Sequence, residues 1–127
     1  MTKKVIATTD APGAVGPYSQ AIVSDGLVFC SGQVPLDPAT GELVTGSITD
    51  ETRRCFQNLN AVLTAAGATF DDVVKVTAFL TDMNDFAEFN EAYAEFFGDE
   101  PPARATVGVA ALPKGARVEV ECIARMS

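Results

Sequence analysis

The chain has 127 residues, none of them histidine or tryptophan, and its 9 Lys+Arg against 17 Asp+Glu give a net charge of −8. The missing imidazole excludes Ser-His and Cys-His nucleophile pairs, imidazole acid–base catalysis and a His-ligated metal, and the acidic balance opposes a nucleic-acid backbone as partner. Chemistry is left to carboxylates, Arg, Lys, Tyr, hydroxyls, thiols and the backbone.

At this length, with 47% apolar and 20% charged residues, one globular domain over 1–127 is expected. Val5-Ile6-Ala7, behind Lys3 and Lys4, is too short for a signal-peptide core, and no apolar stretch nears the ~20 residues of a membrane span. Cys30, Cys55 and Cys122 are odd in number and far apart, so no disulfide framework, CxxC pair or metal site is readable, and they are expected to be free and buried. A reducing, cytoplasmic setting without a membrane partner follows.

Val5–Ala7 reads as a short strand, followed by a loop over Asp10–Pro17 whose prolines and glycines forbid regular structure. Ala21–Ser24 and Leu27–Ser31 flank Asp25-Gly26, a dipeptide suited to a two-residue hairpin turn. A Pro/Gly-rich excursion, Val34–Glu42, comes next. Ser47 and Asp50 have capping-box spacing before Thr52, Cys55, Phe56, Leu59, Val62, Leu63 and Ala66, which predicts a helix from Thr49 to about Ala66, stopped by Gly67.

Val73–Leu80 is β-branched and long enough for a central strand. Phe86, Phe89, Tyr93, Phe96 and Phe97 return to helical spacing and predict a second helix from about Asn84 to Phe97, ended by Gly98. Ala105–Val109 and Arg117–Arg125 complete the order β-β-β-α-β-α-β-β. This is a mixed α/β (α+β) sheet of about six strands with two helices on one face. In the last strand Val118, Val120, Cys122 and Ala124 form the face suited to the helices. Arg117, Glu119, Glu121, Ile123 and Arg125 form the other, which suggests partial burial against another subunit.

Three polar residues stand where a bland residue would do better. Asn90 lies beside the apolar stripe of the second helix, where an interior carboxamide must brace a neighbouring loop or meet a ligand. Arg104, after Pro101-Pro102-Ala103, offers a rigid donor fork to a carboxylate or to a surface ion pair, on the strand side shared with Thr106 and Gly108. Glu119 is a solvated carboxylate or a working one. A simple hairpin of the last two strands would leave Arg104 and Glu119 offset, so a joint site needs that offset filled by substrate or a second chain. Tyr18 and Ser31-Gly32 close a loop and a strand at ends where loops gather, and glycine admits close approach to the backbone.

Gly16-Pro17-Tyr18-Ser19-Gln20, Ser31-Gly32-Gln33-Val34-Pro35, Asp85–Asn90, Pro102-Ala103-Arg104-Ala105 and Val118-Glu119-Val120-Glu121, in this order over nearly the whole chain, resemble the Rid (YjgF-like) family, most closely its RidA-type enamine/imine deaminases. The resemblance implies a chorismate-mutase-like single domain, a homotrimer with clefts between subunits, and no metal or organic cofactor. The implied activity is hydrolysis of reactive 2-imino acids, tautomers of enamines released by PLP-dependent dehydratases, to 2-keto acids and ammonia. By the same resemblance Arg104 is the substrate-carboxylate arginine and Glu119 the glutamate beside the attacking water. Tyr18, Ser31, Gly32 and Asn90 are implied pocket residues, and Thr106, where many members carry cysteine, contributes its backbone. Two other classes stay open: a non-enzymatic carboxylate-binding or regulatory trimer, and an RNA-directed ribonuclease or translation inhibitor, which the −8 charge opposes.

Overall fold

In a computed structural model, which describes residues 2–126, Asp25 and Gly26 take φ of 52° and 77° and reverse the chain between β2 (Ala21–Ser24) and β3 (Leu27–Gln33). β3 runs two residues past the expected Ser31. On the far side of β2 pairs the short edge strand β1 (Lys4–Ile6), one residue earlier than its apolar run suggested.

The first helix, α1 (Ile48–Ala66), starts where the Ser47 hydroxyl accepts from the Asp50 N–H at 3.0 Å. It stops at Gly67, in the left-handed region at φ 89°, whose N–H reaches the Leu63 and Thr64 carbonyls. β4 (Val73–Leu80) has the expected bounds. The second helix is shorter than its spacing predicts. After a 3₁₀ turn at Met83–Asp85, α2 covers Phe86–Ala94 only. Glu95 and Phe96 bond three residues back, to Ala92 and Tyr93. Phe96 and Phe97 then fold onto Phe56 and Phe70, with ring centroids 4.9–5.9 Å apart. The aromatic spacing is therefore that of core contacts made by a tightened turn, not of another helical turn. β5 (Ala103–Gly108) starts earlier than expected and takes Arg104 inside it, and β6 (Val118–Arg125) is the last strand along the chain.

The sheet order is β1-β2-β3-β6-β4-β5, antiparallel except for the parallel pair β4–β5. The simple hairpin considered for the last two strands does not form, because β4 lies between them. β4, apolar and β-branched, has the interior place its composition suits, and β5 takes the edge. Both helices cover one face. Val28, Val76, Ala78, Leu80, Val118, Val120 and Ala124 are buried there against Phe56, Leu59, Val62, Leu63 and Phe89, each large side chain adding on the order of 1.5–3 kcal/mol of transfer free energy. The three cysteines are free and buried. The other face is open and carries two separate apolar groups by register, Ile22, Phe29 and Ile123 across β2, β3 and β6, and Phe79 and Val107 across β4 and β5, while Ile123 pairs with Lys75 and Phe79 with Glu119. Phe29 and Val107 are 41% and 42% exposed. Among the described residues no helix is long and apolar enough to cross a membrane.

Candidate functional site

Two buried carboxamides shape the first half of the site. Gln20 Oε1 accepts from the Thr8 N–H at 2.7 Å while Nε2 donates to the Thr8 and Pro12 carbonyls at 3.1 and 2.8 Å, which fixes the loop after β1. Asn58, on the apolar stripe of α1, donates from Nδ2 to the Val34 and Leu36 carbonyls at 3.2 and 2.9 Å, and its Oδ1 accepts from Arg54. Between these two loops and the turn before β6 is a small concavity of about 90 Å³, lined in part by Pro12, Tyr18, Gly32, Lys114 and Glu119.

Gly32 has one evident reason to be glycine: a Cβ there would stand 2.3 Å from Glu119 Oε2 and 2.9 Å from Cδ. The bare backbone lets the Glu119 carboxylate lie against β3. Burial, and the neighbouring Glu121 charge, push the Glu119 carboxyl above the ordinary glutamate range, the direction that suits a proton acceptor. Ser31 donates its hydroxyl proton to the Ser19 carbonyl at 2.6 Å and its N–H to the Gln20 carbonyl at 2.9 Å. It thus holds the segment that presents Tyr18, whose ring is half exposed.

The second half is built on α2 and β5. The Arg104 guanidinium carbon lies 4.6 Å from the Tyr93 ring centroid and 5.7 and 5.8 Å from those of Phe86 and Phe89. A concavity of about 390 Å³ opens beside it, with Asn90, Tyr93, Phe97, Pro101 and Pro102 in its wall. Asn90 Oδ1, Tyr93 Oη and Thr106 Oγ1 are buried without hydrogen-bond partners. Of the two alternatives for Asn90, the loop brace is not made by this oxygen; Asn58 is the residue that braces a loop. The ion pairs among the described residues are Arg53–Glu95 and Arg117–Glu51, so the Arg104 fork is not spent on a carboxylate of its own chain.

One chain does not bring the two halves together. Along β4, Arg104 is in register with Val76 and Glu119 with Phe79. Three residues at ~3.3 Å rise separate them by about 10 Å along the strand, and the odd offset puts them on opposite faces. Tyr18, Gly32 and Glu119 meet in one concavity, Asn90 and Arg104 in the other. Thr106 shares the helix-side face with Arg104. Ser31 adjoins Tyr18 in a further shallow concavity with Phe29.

Residues not singled out from the sequence also contribute: Tyr93 beneath Arg104, Gln20 and Asn58 as loop anchors, and buried Glu51, which accepts from Arg117 Nε at 2.7 Å and fastens the entry to β6 onto α1. A further concavity of about 600 Å³ along Val5–Thr9 and Tyr18–Gln20 is lined by no charged side chain. No three Cys, Asp or Glu side chains gather as a metal site among the described residues.

Residues 8–126 match the family described as endoribonuclease L-PSP. A RutC family protein of Pyrococcus horikoshii is 53% identical over 96% of this chain and 97% of its own length. The mouse protein named 2-iminobutanoate/2-iminopropanoate deaminase is 52% identical over 96% of this chain and 90% of its own. The crystal structure of the Rid family protein YyfA from Yersinia pestis superposes with a TM-score of 0.96 at 50% identity, covering 98% of this chain and all of that one.

Proposed function

The chain belongs to the endoribonuclease L-PSP, or Rid, family, and from that premise we propose that it hydrolyses 2-imino acids such as 2-iminobutanoate and 2-iminopropanoate to 2-keto acids and ammonia. The observation that carries this reading is the state of Arg104: a fork of donors held on aromatic rings, facing a concavity, with no carboxylate partner among the described residues. Such a fork fits the planar carboxylate of a small 2-imino acid. The name of the mouse relative supports the same substrate class.

In the proposed reaction Arg104 holds the carboxylate and fixes the imine carbon near a water beside Glu119. Glu119 takes a proton from that water as its oxygen bonds to the imine carbon, and the C=N π pair moves to nitrogen. Glu119 returns that proton to nitrogen, giving the neutral carbinolamine, then takes the carbinolamine hydroxyl proton and passes it to the same nitrogen. As the C–N bond breaks with its electron pair going to nitrogen, the oxygen lone pair forms the C=O bond of the keto acid and ammonia leaves. An imine is electrophilic enough that this carboxylate and an oriented water suffice, which is why the chemistry runs without histidine.

Since Arg104 and Glu119 face opposite sides of one sheet, the same reading requires that a neighbouring copy complete each site. The exposed apolar side chains of the open face, Phe29 and Val107 among them, support such docking, and the resemblance gives the number as three. The free, buried thiols are in keeping with a reducing cytoplasm. In the test, a PLP-dependent threonine dehydratase generates the imine and semicarbazide competes for it. Wild-type protein cuts semicarbazone formation and Arg104→Ala does not. Equal trapping with and without wild-type protein defeats the deaminase reading and leaves a carboxylate-binding trimer.

A further inference from the structure

Four of the five arginines in this chain are fixed, in two ways. Arg53 and Arg117 are gripped by carboxylates, Glu95 at 2.9 and 2.7 Å and buried Glu51, and Arg54 gives two donors to Asn58 Oδ1. Arg104 makes no such bond; three aromatic rings lie within 6 Å of its guanidinium carbon, Tyr93 nearest at 4.6 Å. The difference is chemical. A guanidinium clamped by a carboxylate has spent its N–H donors, and an incoming carboxylate must compete with the clamp. One held on π faces is oriented by the ring quadrupole, out of plane, and keeps its in-plane donors for a ligand.

The Tyr93 ring is itself closely packed. It is 7% exposed and packs on Phe97, Phe56 and Phe89 with centroids 4.8, 5.5 and 5.7 Å away. Its hydroxyl has no hydrogen-bond partner among the described residues, so the ring is held by its aromatic packing and not by the phenol.

We propose that Tyr93, with Phe86 and Phe89 around it, is a positioning residue that presents the Arg104 fork with its donors unspent and so sets the affinity for the substrate carboxylate. The inference rests on the reading of Arg104 as the carboxylate-binding residue. Loss of the ring loosens the fork, raising KM and the Kd of a carboxylate ligand while the water and Glu119 act as before, so kcat stays within about threefold. The effect expected is about five- to thirtyfold, the factor to which a partly desolvated cation–π contact converts.

The experiment compares wild type, Tyr93→Phe and Tyr93→Leu for kcat and KM in the coupled imine assay, for 2-ketobutyrate binding by calorimetry, and for thermal melting. Tyr93→Phe keeps the ring and is expected to stay within about twofold of wild type, whereas Tyr93→Leu takes the full loss in KM and Kd. Unchanged binding in Tyr93→Leu overturns the proposal, as does a loss confined to kcat, or a Tyr93→Phe loss as large as that of Tyr93→Leu. Should Tyr93→Leu fail to fold, Phe86→Leu at the exposed rim decides, with about a two- to fivefold loss of affinity expected and none refuting. Wild-type protein that binds 2-ketobutyrate but turns over no imine defeats the deaminase reading and leaves the cradle standing. Folded wild-type protein that binds no keto acid defeats the cradle.

Discussion

Replacing Gly32 by alanine separates the position of Glu119 from its mere presence. The added Cβ would sit 2.3 Å from Oε2, 2.9 Å from Cδ and 3.2 Å from Cγ, where ordinary contact begins at 3.4 Å, so the carboxylate must retreat by about 1 Å. What retreats is the end of a flexible side chain, and β3 itself need not move. The off-rotamer cost of roughly 0.5–1.5 kcal/mol is offset by the backbone entropy that alanine saves in a strand, roughly 0.5–1 kcal/mol. Melting is therefore expected to change by no more than a few degrees. Catalysis is more sensitive, since a misplacement of about 1 Å costs on the order of a hundredfold. In the coupled imine assay kcat of Gly32→Ala is expected to fall about 30- to 100-fold with KM within about threefold, because Arg104 stands on the other face. In a Glu119→Gln background the same alanine is expected to cost almost nothing, since the two residues act as one unit. Full activity in Gly32→Ala, or an undiminished loss in the Glu119→Gln background, refutes the argument that glycine is there to seat this carboxylate.

Three further outcomes are expected. The Glu119 carboxyl is raised by burial and then by Glu121, so as base it loses activity when pH falls through a value above the ordinary 4.5; a kcat/KM profile checks this, and Glu121→Gln shifts the acid limb downward. The linked stability has the opposite sense, because a raised folded-state value favours folding fully at low pH and loses that contribution as pH rises through it, so Glu119→Gln melts slightly higher than wild type at neutral pH. Asn58→Ala strands the Val34 and Leu36 carbonyls and is expected to cost about 2–3 kcal/mol, roughly 6–15 °C in calorimetric melting. Phe29→Glu, on the open face, is expected to give monomers by sedimentation and to lose imine turnover with the assembly while far-ultraviolet dichroism stays native; active monomers refute the shared-site reading.

The hairpin at Asp25-Gly26, the caps of α1 and the extent of β4 were legible because each is decided by local chemistry: a positive φ, a hydroxyl three residues from an N–H, a β-branched run. What escaped is decided by contacts distant in sequence. Phe96 and Phe97 keep helical spacing while the backbone has left the helix, because Phe56 and Phe70 receive them. β4 enters between the last two strands, a pairing order that no spacing encodes. Asn58 carried a readable sign, a carboxamide on an apolar stripe three residues after Cys55 and four before Val62, the same sign that singled out Asn90. The stripe alone does not say which of the two meets a loop and which meets a cavity.

β5 shows where function overrode the pattern. Ala105, Val107 and Val109 form its more apolar side, and periodicity alone assigns that side to the core. The structure does the reverse: Arg104, Thr106 and Gly108 share the face of Val76, Ala78 and Leu80, and Val107 stands 42% exposed beside Phe79. For an isolated monomer this orientation is unfavourable twice over, leaving a valine wet and seating a guanidinium among aromatic rings. Both costs are removed by what is proposed here: a neighbouring copy covers the open face, and a substrate carboxylate meets the fork. An edge strand whose polarity opposes its burial is therefore a mark of the site, and inverting it tests that claim. Inverted at the fork alone, where no neighbour offsets the cost, by Arg104→Leu, the strand is expected to melt higher than wild type in the absence of substrate while losing imine turnover altogether. A variant that melts no higher than wild type shows that the seat of Arg104 carries no cost to folding.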